Sequence, residues 1–250
     1  HLDQVKKQFY REAEVVAKLA HPNIVTVYDV GEDLDLSYLA MEYLEGESLV
    51  KSIKPGHLLP IRQCVDIVTQ KCDALEYAHK HDIVHRDIKP ENIMLGKFGE
   101  VLVMDWGLAA AVKEDAKGDR LSQATAVGGT PAYMAPEQLE CRRADRRVDV
   151  WATSVVLWEV LTQQRLFAKA SLGATVTAVL GQPVTPPSHI NPNVPSELDA
   201  IVLRGLKRDE AQRFETALEM ARALEQVASR RPEETVEHFA ALLAERRGAY

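Results

Sequence analysis

The sequence predicts an α+β chain. Three apolar runs, Ile83–Val84, Ile93–Leu95 and Val101–Met104, are too short for helices and are bounded by polar residues, so they read as short buried strands. Two longer stretches, Pro60–Lys80 and Arg147–Thr162, carry apolar residues at three- and four-residue steps and read as helices. Around the first of those strands lies HDIVHRDIKPEN, residues 81–92, with Arg86, Asp87, Lys89 and Asn92 at fixed offsets.

In chain order, Asp3–Ala20 reads as a helix, because Val5, Phe9, Val16 and Leu19 share a face. Glu12 fills the gap in that stripe. It either turns inward and needs a partner, or lies exposed at the stripe's edge. His21-Pro22-Asn23 breaks the helix. Ile24–Val30 and Leu36–Tyr43 then read as strands joined by the turn residues Gly31–Asp35. In Pro60–Lys80 the face Ile61, Val65, Val68, Cys72, Leu75 and His79 is continuous core, with His79 read as packing. That helix runs straight into residues 81–92, so its burial would hold them rigidly. Arg147–Thr162 follows with Val148, Trp151, Val155, Trp158 and Leu161 apolar. Asp149 breaks its apolar pattern: it is a structural anchor or an acid favoured by the helix dipole. The proline-rich segment 183–195 is an irregular connection. Ser196 is expected to cap a helix to Leu206, and Thr216 with Glu219 to form a capping box. Val236, Phe239, Ala240 and Leu243 suggest one more amphipathic helix near the end.

Composition excludes several classes. Of 250 residues, 46% are hydrophobic and 27% charged, the balance of a soluble globular protein. A formal charge of −7, with no basic run longer than Arg142-Arg143 or Arg146-Arg147, argues against a nucleic-acid surface. The longest uncharged stretch, Ala170–Ser196, holds five prolines and cannot be a membrane helix. Cys64, Cys72 and Cys141 form no CxxC pair and read as reduced thiols, so a cytoplasmic location is expected.

A loop carrying a carboxylate, an ammonium and an amide carbonyl suits phosphoryl transfer, which needs a base, a cation for phosphate and an oxygen ligand for Mg2+. The string H-R-D-x-K-x-x-N at 85–92 resembles the catalytic loop of eukaryotic-type protein kinases. Further strings resemble that family in order: E-A-E-V-V-A-K-L-A-H-P-N-I-V (12–25) its helix C, M-E-Y-L-E-G (41–46) its hinge, D-W-G (105–107) its metal motif. G-T-P-A-Y-M-A-P-E (129–137) resembles its substrate-docking loop. The resemblance covers residues 2–230 or so. It implies a bilobal fold: a truncated small lobe (1–45, helix C, two strands and the hinge), a mainly helical large lobe (46–230), and a helical extension (231–250).

Roles carried over by resemblance are as follows. Asp87 would take the acceptor proton, Lys89 would offset charge on the transferring group, and Asn92 with Asp105 would hold Mg2+. Met41 would be the gatekeeper beside the nucleotide, the backbone of Glu42 and Leu44 would bond adenine, and Met94 would line the nucleotide site. Thr130 with Lys89 is the serine/threonine combination. Glu12 would be the helix C glutamate, Asp149 would hold the catalytic loop from below, and Glu137 would pair with Arg213. Arg86 could clamp a phosphate in segment 108–129, where Ser122 and Thr125 are candidate phosphosites. Trp106 stands where the family usually has Phe. ATP, Mg2+ and proteins bearing Ser or Thr are the implied ligands, with protein phosphorylation and signal transduction the implied setting.

Two family parts do not occur in these residues: a G-x-G-x-x-G loop and a strand lysine ahead of helix C. Because the first residue is His1, the expectation is a fragment of a complete kinase of bacterial look. The alternative is a pseudokinase or scaffold without the phosphate clamp. A small-molecule phosphotransferase of kinase-like fold would generally lack the docking loop, and Gly129–Glu137 argues against it.

Overall fold

A computed structural model describes residues 10, 17–33, 36–53, 58–106, 110–111 and 131–229. The expected helix C with Glu12, the phosphosites Ser122 and Thr125, Thr130, and the expected helix beyond residue 231 lie outside the described residues. Within them the chain is α+β: short strands dominate its first part and helices the rest.

Strands β1 (Val27–Asp33) and β2 (Leu36–Met41) form an antiparallel hairpin, with Val27 opposite Met41 and Asp33 opposite Leu36. The first strand starts three residues later than its apolar run suggests. Ile24 and Val25 belong elsewhere: Val25 N–H donates to Val103 O at 3.2 Å, Val103 N–H donates to Asn23 O at 2.9 Å, and both side chains are buried. The hairpin in turn runs through Gly31, which sits opposite Tyr38. A Cβ at Gly31 would meet the Tyr38 ring at 2.6 Å, so glycine lets the tyrosine lie across the strand.

β3 (Gly46–Ser48), β5 (Ile93–Gly96) and β6 (Val101–Val103) make a three-stranded sheet in the order β3-β5-β6. β3 has no apolar signature, and a Cβ at Gly46 would lie 2.2 Å from Leu95 O. β4 (Ile83–Val84) pairs instead with β7 (Ala110–Ala111).

Helix α1 (Ile61–Lys80) follows Pro60, whose missing N–H costs nothing at a helix start. Val65, Val68, Cys72 and Leu75 are buried as their spacing predicts, and so is Lys71, which the spacing did not single out. His79 does more than pack, as described below. After a short helix α2 (Pro136–Leu139), α3 (Arg147–Thr162) runs through the middle of the helical part, buried at every position from Val148 to Thr162. Each fully buried Val, Leu or Trp there contributes about 1.5–3 kcal/mol, so α3 is the rigid axis of this part.

Residues Leu172–Gly181 form α4; among the described residues no helix is long and apolar enough to cross a membrane. α5 (Ser196–Gly205) corrects one expectation. Pro195, not Ser196, is the cap residue, and Ser196 Oγ donates to Glu197 Oε2 at 3.3 Å. At its far end a Cβ on Gly205 would fall 1.9 Å from Ser154 Oγ, so α5 reaches α3 only because that residue is glycine. α6 (Ala217–Ser229) starts with half of the expected box: Thr216 Oγ1 accepts Glu219 N–H at 3.0 Å. The Glu219 carboxylate reaches one residue further back, accepting Glu215 N–H at 2.8 Å. Cys64, Cys72 and Cys141 are free, and burial pushes the thiols of Cys64 and Cys72 up to about 12.

Candidate active site

The site is built where α1 ends. Asp82 takes a left-handed φ of 60°, which turns the chain out of the helix, and β4 buries Ile83 and Val84 beside the core. His85, Arg86 and Asp87 follow, with Arg86 at φ 69°, a conformation that non-glycine residues keep only when their surroundings enforce it.

Asp149 does the enforcing. It lies in the first turn of α3, fully buried, and its two oxygens accept His85 N–H at 2.9 Å and Arg86 N–H at 2.8 Å. His79 Nε2 meets the same carboxylate at 2.7 Å. Burial works against the charge of Asp149, but the bonds from His79, His85 and Arg86 outweigh it and hold the carboxyl below its ordinary value. α1 and α3, joined at His79–Asp149, thus fix the backbone of the loop from below.

His85 is buried and carries the support onward. Its Nδ1 accepts Asp87 N–H at 3.3 Å, so the ring proton sits on Nε2, which donates to Met104 O at 3.1 Å. Its pKa is lowered, chiefly by burial, which favours this neutral form. The ring packs 4.5 Å from the indole of Trp106, whose Nε1–H donates to Val103 O at 3.3 Å.

On this base three predicted residues come together. Lys89 Nζ donates to Asp87 Oδ2 at 2.6 Å, and Asn92 Nδ2 donates to Asp87 O at 2.9 Å and to Asp87 Oδ2 at 3.1 Å. The amide nitrogen of Asn92 is committed to Asp87, so any metal contact from this residue falls to its carbonyl oxygen. Asp105 is exposed, at φ 57°. Met104 N–H donates to Asn92 O at 2.9 Å and extends the Ile93–Val103 register, which sets Asp105 one residue beyond the strand partner of Asn92. An exposed carboxylate and an amide carbonyl are hard oxygen donors, the pair that suits Mg2+ when phosphate oxygens complete the shell.

The predicted hinge residues lie at the end of β2. Met41 is half-exposed, Glu42 N–H donates to Thr26 O at 2.9 Å, and Glu42 Oε1 accepts Thr26 N–H at 2.5 Å. Leu44 is half-buried. Ser48 Oγ donates to Pro90 O at 3.0 Å, tying β3 to the 85–92 loop, and Met94 sits opposite Ser48, half-buried. Away from the loop, both guanidinium nitrogens of Arg213 reach the Glu137 carboxylate at 2.7 Å.

Sequence reasoning missed two features here. His79 reads as packing because its spacing matches the apolar face; its bond to Asp149 is invisible to periodicity. Glu159 is a carboxylate set in the apolar run Val155–Leu161 of α3, the same kind of signal that marks Asp149.

This chain belongs to the protein kinase domain family, whose model matches residues 1–226. Its curated relatives include the serine/threonine-protein kinase PknB of Mycolicibacterium smegmatis, 39% identical over 217 residues, which covers 85% of this chain and 34% of that protein. The probable serine/threonine-protein kinase SCO3848 of Streptomyces coelicolor is 37% identical over 247 residues, 97% of this chain and 36% of that protein. The probable serine/threonine-protein kinase CPE1738 of Clostridium perfringens is 33% identical over 225 residues, 90% of this chain and 32% of that protein. The chain spans about a third of the length of these relatives.

Proposed function

We propose that this chain carries the catalytic machinery for moving the γ-phosphoryl group of ATP to a Ser or Thr hydroxyl of a protein. The observation that carries the reading is the Asp87–Lys89–Asn92 cluster on a backbone clamped by a buried carboxylate. Asp87 orients the acceptor hydroxyl and takes its proton as the new O–P bond forms and the bond from the γ-phosphorus to the bridging oxygen breaks, with ADP leaving. Lys89, beside that carboxylate, would meet the transferring group and offset its charge. Asn92, through its carbonyl oxygen, and Asp105 would hold magnesium, which when bound neutralises charge on the phosphates. Adenine would lie against Met41 and Met94, bonded by the backbone of Glu42 and Leu44. Thr130 with Lys89 favours Ser and Thr as acceptors, and Arg86 would draw a phosphorylated segment against the loop.

Phosphate transfer from radiolabelled ATP to a generic protein substrate, compared between the chain and its Asp87→Asn form, tests this. The variant should keep its unfolding midpoint and nucleotide affinity while transfer falls by roughly a thousandfold, the scale of losing a positioned base with its orienting role. Transfer at an unchanged rate in that variant would remove Asp87 from the mechanism.

A further inference from the structure

A second buried carboxylate is linked to this loop through an arginine. Glu159 has a side-chain exposure of 0%, yet three donors converge on it. Its Oε2 accepts Tyr133 O–H at 2.8 Å and Arg165 Nη1 at 2.9 Å, and its Oε1 accepts Leu166 N–H at 3.1 Å. Arg165 Nη1 also bonds the Tyr133 hydroxyl. On its outer side the guanidinium looks towards the catalytic loop: Arg165 Nη2 lies 3.9 Å from Glu91 Oε1. Glu91 is the residue before Asn92 and the fourth after Asp87, and its side chain is 45% exposed.

Two carboxylates and one guanidinium leave a net charge of −1 at this corner. The inner contact is short and dry; the outer one is long and wet, so it is weak and open to competition. An extended peptide advances ~3.3 Å per residue, so a side chain two or three residues from an acceptor held at Asp87 would lie ~7–10 Å from it, the scale of the four-residue step along the loop from Asp87 to Glu91.

We propose that Arg165 determines specificity: it fills, from within the chain, the acidic pair Glu91 and Glu159 beside the acceptor site, so that substrates need no basic side chain there. The inference rests on Asp87 as the group that meets the acceptor hydroxyl. Without Arg165 the same two carboxylates would select a lysine or arginine in the substrate.

The test compares peptides that differ only in Arg or Ala at each position around one acceptor Ser. They are read by kcat/KM and, with the acceptor replaced by Ala, by fluorescence anisotropy. In the unsubstituted chain Arg and Ala should agree within about threefold at every position. Arg165→Met should favour Arg by about tenfold at one position, in KM and in affinity but not in kcat, and adding Glu91→Gln should remove that gain. Should Arg165→Met fail to fold, Arg165→Lys keeps a charge against Glu159 but withdraws from Glu91, and a smaller gain at the same position is expected. A flat profile in the folded Arg165 variants would overturn the proposal. So would an Arg preference in the unsubstituted chain that Glu91→Gln abolishes. If no form transfers phosphate, the transfer activity proposed for this chain fails, while the anisotropy series still decides the role of Arg165.

Discussion

Arg213 and Glu137, 76 residues apart in sequence, meet fork to fork, with both N···O distances at 2.7 Å and side-chain exposures of 0% and 2%. The remaining guanidinium protons go to Lys207 O at 2.7 Å, Arg208 O at 3.1 Å and Arg147 O at 3.2 Å. No donor is wasted, so this pair escapes the usual penalty of burying charge. Removing one partner strands the other. Arg213→Met or Glu137→Leu alone should lower stability by about 3–5 kcal/mol, and the double substitution should recover most of the loss. Urea midpoints of the three forms check it; equal losses in single and double forms would show that the pair does not couple.

Asp149 makes stability depend on acid. Its folded pKa lies below the ordinary carboxylate value, so the unfolded chain takes up a proton first as pH falls. The contribution is therefore complete above the unfolded value of ~3.9 and is lost as pH falls through the lower folded value. Asp149→Asn removes that dependence and leaves one oxygen for two backbone donors. The variant should be less stable at neutral pH by about 2–4 kcal/mol, with a shallower decline between pH ~5 and ~3. Denaturant unfolding across that range measures both.

How much of this could be read in advance follows from what periodicity encodes. The helices α1 and α3 were legible because each buries a full face over many residues. The strands were legible only where apolar. Gly46–Ser48 became β3 because its backbone, not its side chains, matches Leu95, and Ile24–Val25 left the hairpin for β6 because of a tertiary contact that no local rule carries. The same division holds in the site. Asp87, Lys89 and Asn92 are close in sequence, and a loop of that spacing can turn all three towards one point. The support beneath them, Asp149 with His79, joins residues 70 apart. The Asp149 role came from a family likeness, and the His79 bond came only from the structure.

Lys71 is fully buried on α1, and among the described residues its Nζ has no hydrogen-bond partner. Burial lowers its pKa to about 8, against the attraction of Asp149. Here the folded value lies below the unfolded one, so the unfolded chain holds the extra proton between pH ~8 and ~10.5, and stability rises with pH across that window. At neutral pH the charged form costs the fold up to roughly 3 kcal/mol. Lys71→Met should raise the unfolding midpoint at pH 7 and flatten the rise on the alkaline side. A destabilised variant would show that the ammonium has a favourable partner, for which a buried water is the natural candidate.

Trp106 combines two functions that substitution can separate. As a plug it is 2% exposed and packs on His85; as a donor it ties its own segment to Val103 O. Trp106→Phe keeps most of the plug and loses the bond, so stability should fall by about 1–2 kcal/mol with the loop intact. Trp106→Ala empties the space under His85, with an expected loss of about 3–5 kcal/mol. Since His85 holds Met104 O and Asp87 N–H, the alanine form should also loosen Asp105 against Asp87. Phosphate transfer should then fall far more in the alanine form than in the phenylalanine form when both are assayed below their unfolding midpoints. Equal transfer in the two would mean that Asp105 is positioned without help from the indole.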